Sequence, residues 1–276
     1  MNYAQIFAHY EKQLEALGEE AESLTFTFRA LKKMTATEFF LSLRQEVTAE
    51  DEVLLADIFE KLSQHIPAQY IIGEADFHDL TFKVDQRVLI PRPETEELVD
   101  LILEENPQDN LSLLDIGTGS GAISISLKHA RPSWQVAASD LSSDALAVAA
   151  ENAHRHKTNI QFFQADVFRQ VSGKYDIIVS NPPYISFEDK EEVGTNVLTS
   201  EPYLALFAQE DGYAIYRQII QGAEEYLTEN GKLYFEIGYK QGPVLQEMIG
   251  HYFPQKRVRV LKDLFGLDRK VVVDNG

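Results

Sequence analysis

Two patterns of apolar spacing divide the chain. Over roughly the first 75 residues the apolar positions follow helical intervals, as at 54, 55, 58, 59 and 62. Thr35-Ala-Thr-Glu38, ahead of Phe39-Phe-Leu41, places a hydroxyl at a helix cap and a carboxylate three positions on, where each can meet a free backbone N–H. Thr48-Ala-Glu-Asp51 repeats the arrangement before Val53-Leu-Leu55. Ile71 to Val84 has short apolar runs broken by turn formers, which predicts a β-hairpin. Pro93, followed by Glu94 and Glu96, suits the first turn of a helix, where the carboxylates meet the positive end of its dipole. Beyond the polar break Asn106-Pro-Gln-Asp-Asn110, short apolar runs alternate with helical stretches, as in an α/β domain. The expected division is a helical domain at 1–75, a β-hairpin linker at 76–92 and an α/β domain at 93–276. Towards the end, Asp211–Ile220 reads as a helix, Lys232–Gly238 as a strand after an Asn230-Gly231 turn, and Arg257–Leu261 with Arg269–Val273 as a terminal hairpin.

Composition narrows the function classes. The chain of 276 residues is long enough for one or two domains. Its 25 basic and 44 acidic side chains give a net charge of −19, which repels phosphate backbones and argues against direct nucleic-acid binding. The basic residues of the helical region (Lys12, Arg29, Lys32, Lys33, Arg44 and Lys61) are outnumbered by acidic ones, so that region is no nucleic-acid arm. Without cysteine there is no disulfide framework, thiolate metal site or cysteine nucleophile. The histidines are scattered and no metal site is expected. The opening residues lack a basic start and an apolar core, and no run approaches the length of a membrane span. A cytoplasmic protein is expected.

The chemistry concentrates at the ends of predicted strands. Leu111–Ile116 runs into Gly117-Thr118-Gly119-Ser120-Gly121 and then into a helix. Glycines there let a ligand approach the backbone and permit positive φ, and the helix start adds free N–H groups. With Ala122 in place of a third glycine, this loop alone also fits a dinucleotide site. Asp115, just before the loop, would repel a pyrophosphate but suits a cationic ammonium. A second strand ends in Asp140, 25 residues beyond Asp115, where a carboxylate can accept from two ribose hydroxyls. The third strand ends at Asp166, placed for an adenine amino group, with Val167 to pack on the ring. Three acids in register with a glycine loop suggest an adenosine bearing a charged amino acid, S-adenosylmethionine. The fourth strand, Tyr175–Ser180, ends in Asn181-Pro182-Pro183-Tyr184. Neither proline has an N–H and each restricts the residue before it, so the segment leaves the sheet stiff and extended. A side-chain amide, a free carbonyl and an aromatic ring held there form a grip for a planar nitrogen group.

With the loop, Asp140 and Asn-Pro-Pro-Tyr in place, the chain resembles the class I S-adenosylmethionine-dependent methyltransferases, and among them the HemK/PrmC family of release factor glutamine N5-methyltransferases. The resemblance rests on Tyr70–Gly73, Leu89–Glu96, Asp115–Gly121, Ser180–Ile185 and Glu201–Leu206. It implies a Rossmann-like α/β sheet with a small N-terminal helical domain and a connecting β-hairpin. It further implies that Gly117 to Gly121 hold the methionine part and sugar of S-adenosylmethionine, Asp140 the ribose and Val167 the adenine side. Where the family often carries tryptophan, Val167 replaces ring stacking by aliphatic packing. Asn181, Pro182, Pro183 and Tyr184 would bind the substrate glutamine of peptide chain release factors, which the helical domain would help to dock. S-Adenosylhomocysteine would be the product. Asn-Pro-Pro-Tyr also occurs in adenine-N6 nucleic-acid methyltransferases, the main alternative. The acidic charge speaks against it. A nicotinamide oxidoreductase, or a protein that only binds the cofactor, leaves the grip unused.

Overall fold

A computed structural model describes all of residues 1–276. Two compact units make up the chain. The first comprises Met1–Ala75, Val84–Gln86 and Val193–Glu201, and the second the remaining residues.

The first unit contains α1 (Tyr3–Ala16), α2 (Glu22–Leu31), α3 (Ala36–Ser42), α4 (Ala49–Ser63) and α5 (Ala68–Ile72). Polar caps start three of these helices. Asn2 and Gln5 form a reciprocal box at α1, Thr35 and Glu38 form the predicted one at α3, and Thr48 accepts from the Asp51 N–H at α4. The apolar stripes meet in one core that includes Ile6, Phe7, Leu24, Phe28, Leu55 and Ile58. Phe7 and Phe28 pack edge to face with ring centres 5.3 Å apart. Asp51 is buried and accepts from the Tyr3 hydroxyl and from Lys32 at 2.7 Å, so its charge is paired. The 193–201 segment, expected within the α/β domain, counts with this unit, and its Ser200 hydroxyl donates to the His65 carbonyl at 3.0 Å.

The hairpin of β1 (Glu74–Phe77) and β2 (Leu80–Lys83) belongs to the second unit from Asp76 onward, and its tip residues His78 and Asp79 have positive φ as a tight turn requires. Lys83 exchanges two hydrogen bonds with the Asn152 side chain, at 2.7 and 3.0 Å, which ties the hairpin end to the α/β fold. Along the chain follow α6 (Pro93–Glu105), β3 (Ser112–Ile116), α7 (Ala122–Ala130), β4 (Gln135–Asp140), α8 (Ser143–Arg155), β5 (Ile160–Gln164) and β6 (Tyr175–Ser180). A 3-10 turn (Phe187–Glu192) and the short α9 (Thr195–Ser200), the latter in the first unit, precede α10 (Tyr203–Leu206), α11 (Ala214–Tyr226), β7 (Leu227–Glu236), α12 (Gly242–Tyr252), β8 (Arg257–Lys262) and β9 (Asp268–Asp274). Asn230-Gly231, read from the sequence as a turn, lies inside β7, where the pairing with β6 is irregular.

Seven strands form one sheet in the order β5-β4-β3-β6-β7-β9-β8. The first five in that order run parallel, and β9 enters antiparallel between β7 and β8. Leu113, Leu114, Ile177, Ile178, Val179, Leu233, Phe235 and Val271–Val273 are wholly buried, as expected of strands covered on both faces. The chain winds outward from β3 in one direction and then returns to lay β6 on the other side of it. That reversal opens a crevice at the C-terminal ends of β3 and β6, where open α/β sheets bind ligands. No helix is long and apolar enough to cross a membrane.

The sheet's far edge is held by charge. Arg259 on β8 donates to both Glu105 carboxylate oxygens, at 2.7 and 2.8 Å, and to Asp274 at 2.9 Å. Burial raises the Asp274 carboxyl, but Arg257, the Gly276 N–H and Arg259 more than offset it and leave it at about 2. Glu105 is likewise lowered, because its bonds to Arg259 and Tyr234 outweigh burial. Both carboxylates therefore contribute stability that is complete above their ordinary range and is lost as pH falls through the folded values. Arg259→Met should lower the unfolding free energy at pH 7 by roughly 1–3 kcal/mol, the cost of breaking hydrogen bonds to charged groups. In urea titrations that gap should narrow as the pH drops below about 4.5. An equal gap at pH 7 and pH 3 would contradict the assignment.

Candidate active site

Parallel pairing sets Ile116 opposite Ser180, so the two loops that leave these strands start side by side. The Ser180 hydroxyl donates to the Ile116 carbonyl at 2.6 Å and fastens the strand ends together. On the β3 side, Gly117, Gly119 and Gly121 all have positive φ, at 74°, 56° and 84°. At Gly117 and Gly119 a Cβ would meet nothing within 4 Å, so the backbone is bare towards open space; at Gly121 it would lie 2.6 Å from Ile125 Cδ1, so packing requires glycine there. Thr118 and Ser120 are buried and hold the loop from inside. Asp115 accepts from the Thr118 hydroxyl at 2.6 Å. Burial pushes its carboxyl up to about 6, against the Thr118 and Ser124 hydroxyls. Because Asp115 is wholly enclosed, it braces the loop; the ammonium contact read from the sequence is not available to it.

Next along the sheet, Asp140 ends β4. Its two oxygens accept from the Gly119 and Ser142 N–H groups, each at 2.9 Å. Burial raises this carboxyl, while the Ser142 and Gly119 amides act to lower it. Half-buried and with a second lone pair on each oxygen, it retains capacity for two further donors. Beyond β5, Asp166 is exposed and Val167 is buried in the core, with φ +55. A β-branched residue in left-handed backbone is strained, and such strain gathers at ligand sites. Glycine loop, Asp140 and Val167 thus follow the C-terminal ends of three adjacent strands.

On the β6 side, Asn181, Pro182, Pro183 and Tyr184 leave the sheet at the crevice. The Asn181 amide donates to the Thr95 hydroxyl at 3.3 Å, and that hydroxyl donates to Glu236 Oε2 at 2.6 Å. With its nitrogen engaged, Asn181 presents its side-chain oxygen as an acceptor. At the other end of the tetrapeptide the Gln241 amide donates to the Tyr184 carbonyl at 3.1 Å and accepts from the Gly238 N–H at 2.9 Å. Burial raises the Tyr184 hydroxyl, which stays protonated. The 3.2 Å between the Tyr184 ring and the place of a Cβ on Gly238 shows how closely the ring lies on that backbone.

Thr95, Glu236, Gln241 and Gly212 were not singled out from the sequence. Thr95 lies inside the Pro-Arg-Pro-Glu-Thr-Glu motif, which was the one available signal. Glu236 ends β7, Gln241 precedes α12 and Gly212 lies in the turn before α11, none of them in a recognisable motif.

Known proteins similar to this chain are methyltransferases. A family described as "Methyltransferase small domain" matches residues 95–204, and one described as "PrmC N-terminal domain" matches residues 5–73. The release factor glutamine methyltransferase of Streptococcus pneumoniae is 57% identical over 100% of this chain and 99% of its own. That of Lactococcus lactis is 48% identical over 95% of this chain and 97% of its own. Among solved structures, a methyltransferase from Pyrococcus furiosus superposes with a TM-score of 0.54 at 16% identity, over 71% of this chain and 88% of that one, a likeness of fold.

The close fit around Tyr184 yields a test. Gly212 has φ +86, and a Cβ there would lie 2.1 Å from the Tyr184 carbonyl oxygen. Gly212→Ala should therefore destabilise the protein by more than the roughly 1 kcal/mol of left-handed alanine alone. An unchanged urea midpoint would show that the loop is not held as described.

Proposed function

The chain belongs to the release factor glutamine methyltransferase family, and from that premise we propose how its own residues transfer a methyl group from S-adenosylmethionine to the side-chain amide N5 of glutamine in the Gly-Gly-Gln motif of peptide chain release factors. The observation that carries the reading is the orientation of Asn181, whose nitrogen is bound to Thr95 and whose oxygen is left to accept. A glutamine amide offers two N–H donors, which the Asn181 oxygen and the Pro182 carbonyl would accept.

The cofactor site passes a physical test of fit. Gly117 and Gly119 leave room against bare backbone, and Asp140 keeps lone pairs for ribose hydroxyls at the adjacent strand end. Gly117, Thr118, Gly119, Ser120 and Gly121 would hold the methionine part and sugar, Asp140 the ribose and Val167 the adenine side, with Asn181 bordering the methyl. When bound, S-adenosylmethionine supplies an electrophilic methyl on a sulfonium.

An amide nitrogen is a poor nucleophile because its lone pair is delocalised into the carbonyl. Two hydrogen bonds to the amide N–H groups, accepted by Asn181 and Pro182, favour pyramidal nitrogen and direct its lone pair at the methyl. Pro183 keeps the turn rigid, and Tyr184 packs on the amide and excludes water. Alignment of the amide supplies much of the acceleration. Methylation makes the nitrogen strongly acidic, so its proton leaves afterwards and no dedicated base is needed. The helical first unit would help to dock the release factor, and the net charge of −19 favours a protein substrate over a nucleic acid.

Labelled S-adenosylmethionine, a purified release factor and peptide mass mapping test the reading. One added methyl on the Gly-Gly-Gln glutamine is expected, with turnover by Asn181→Ala reduced roughly 10²-fold or more. Label found instead in added DNA or RNA would overturn it, and near-normal turnover by a folded Asn181→Ala protein would remove Asn181 from its role. Asp140→Ala should weaken S-adenosylmethionine binding by roughly 10- to 100-fold, as loss of charge-assisted hydrogen bonds does. Unchanged affinity in calorimetry would contradict the ribose assignment.

A further inference from the structure

Behind Asn181 lies a polar chain that the reaction itself does not touch. Thr95, at the start of α6, and Glu236, at the end of β7, are 5% and 3% exposed, yet they belong to elements 141 residues apart. Burying a carboxylate without a full ion pair is costly, and a core position of this kind is ordinarily apolar. What the chain gains is direction. An ionised carboxylate only accepts hydrogen bonds, so the Thr95 hydroxyl must donate to Glu236. Its proton thus committed, Thr95 can only accept from Asn181, and the Asn181 amide must offer it an N–H. The side-chain oxygen is then the group that Asn181 turns to the substrate.

Resting on the function proposed above, the geometry points to Thr95 and Glu236 as positioning residues that fix the polarity of the Asn181 amide, with ionised Glu236 holding the acceptor towards the substrate and protonated Glu236 releasing it. When Glu236 takes a proton it donates to Thr95. The Thr95 hydroxyl is then free to donate to the Asn181 oxygen, and the amide turns over. Asn181 would then present N–H donors to a substrate amide that brings N–H donors of its own, and the grip is lost. The relay moves no proton to or from the substrate.

The groups around Glu236 set where this change falls. Burial raises its carboxyl, while the Thr95 hydroxyl on α6, Arg269 on β9 and the Asn181 amide favour the ionised form and Glu94 on α6 opposes it, with the result at about 7. Tyr184 faces the same space, and the Tyr216 hydroxyl on α11 donates to the Glu236 backbone carbonyl at 2.7 Å. Lys270, paired with Glu236 across the β7–β9 ladder, is occupied by Glu97 at 2.5 Å and does not neutralise it. The sign follows from these surroundings. Activity rises with pH as Glu236 ionises, whereas the contribution of Glu236 to stability, complete below about 4.5, is lost as the pH rises through its folded value. The same ionisation that sets the active site therefore destabilises the fold.

The test compares wild type, Thr95→Ser, Thr95→Val and Glu236→Gln in single-turnover methylation of a purified release factor from pH 5.5 to 9. Calorimetric binding of S-adenosylmethionine and thermal melts accompany each. Wild type should gain rate through an ionisation near pH 7. Thr95→Val and Glu236→Gln should lose that step and fall by roughly 10- to 100-fold at pH 8, with cofactor affinity unchanged. Thr95→Ser, which keeps the hydroxyl, should retain both the rate and the profile. Glu236→Gln should melt no lower than wild type at pH 8 and should lose the wild-type decline in stability between pH 5 and 8, an effect no loss of packing would produce. Variants that bind cofactor and keep the wild-type rate and pH profile overturn the relay alone. A wild-type protein inert on the release factor overturns the functional reading and the relay with it.

Discussion

The short hydrogen bond from the Ser180 hydroxyl to the Ile116 carbonyl joins the two strands on which the site is built. β3 carries the loop with bare backbone and β6 carries the Asn181–Tyr184 tetrapeptide proposed to grip the substrate. Only the reversal of winding between them makes these strands neighbours. Parallel pairing then guarantees that both segments leave the sheet at the same edge and at the same height. Had β6 been added beyond β5, the same residues would form the same strands, and the glycine loop and the tetrapeptide would lie several strands apart.

Around the crevice stand carboxylates that burial disfavours. Asp115 is enclosed by the loop it braces, Asp140 is held by two backbone amides, and Glu236 lies under Thr95. Each raises the cost of folding, because a charge removed from water must be compensated by hydrogen bonds. Each also fixes a polar group whose direction matters. The buried apolar strands on either side offset these costs and let the edge of the sheet remain polar. Stability and chemistry thus occupy different layers of one fold.

Much of this was legible in the residues. The helix caps at Thr35 and Thr48, the strand runs ending in Gly117, Asp140 and Asn181, and the proline-stiffened exit all carry local signals, since capping, apolar runs and turn chemistry act over a few residues. Asp115 was misread because a carboxylate before a glycine loop looks the same whether it faces a ligand or props the loop from beneath; only its complete enclosure separates the two. Thr95 carried only the signal of its motif and Glu236 none, for another reason. A threonine in the first turn of a helix and a glutamate at a strand end read as a helix former's neighbour and a solvated terminus. Their meaning lies in a contact across 141 positions. The grouping of residues 193–201 with the helical unit was hidden in the same way.

The most direct test of the account is a crystal structure of the protein with S-adenosylhomocysteine and a peptide containing Gly-Gly-Gln. The account predicts the glutamine amide nitrogen about 3 Å from both the Asn181 side-chain oxygen and the Pro182 carbonyl, with Asn181 still donating to Thr95. A glutamine bound with its oxygen towards Asn181, or an Asn181 amide turned over in the complex, would contradict it.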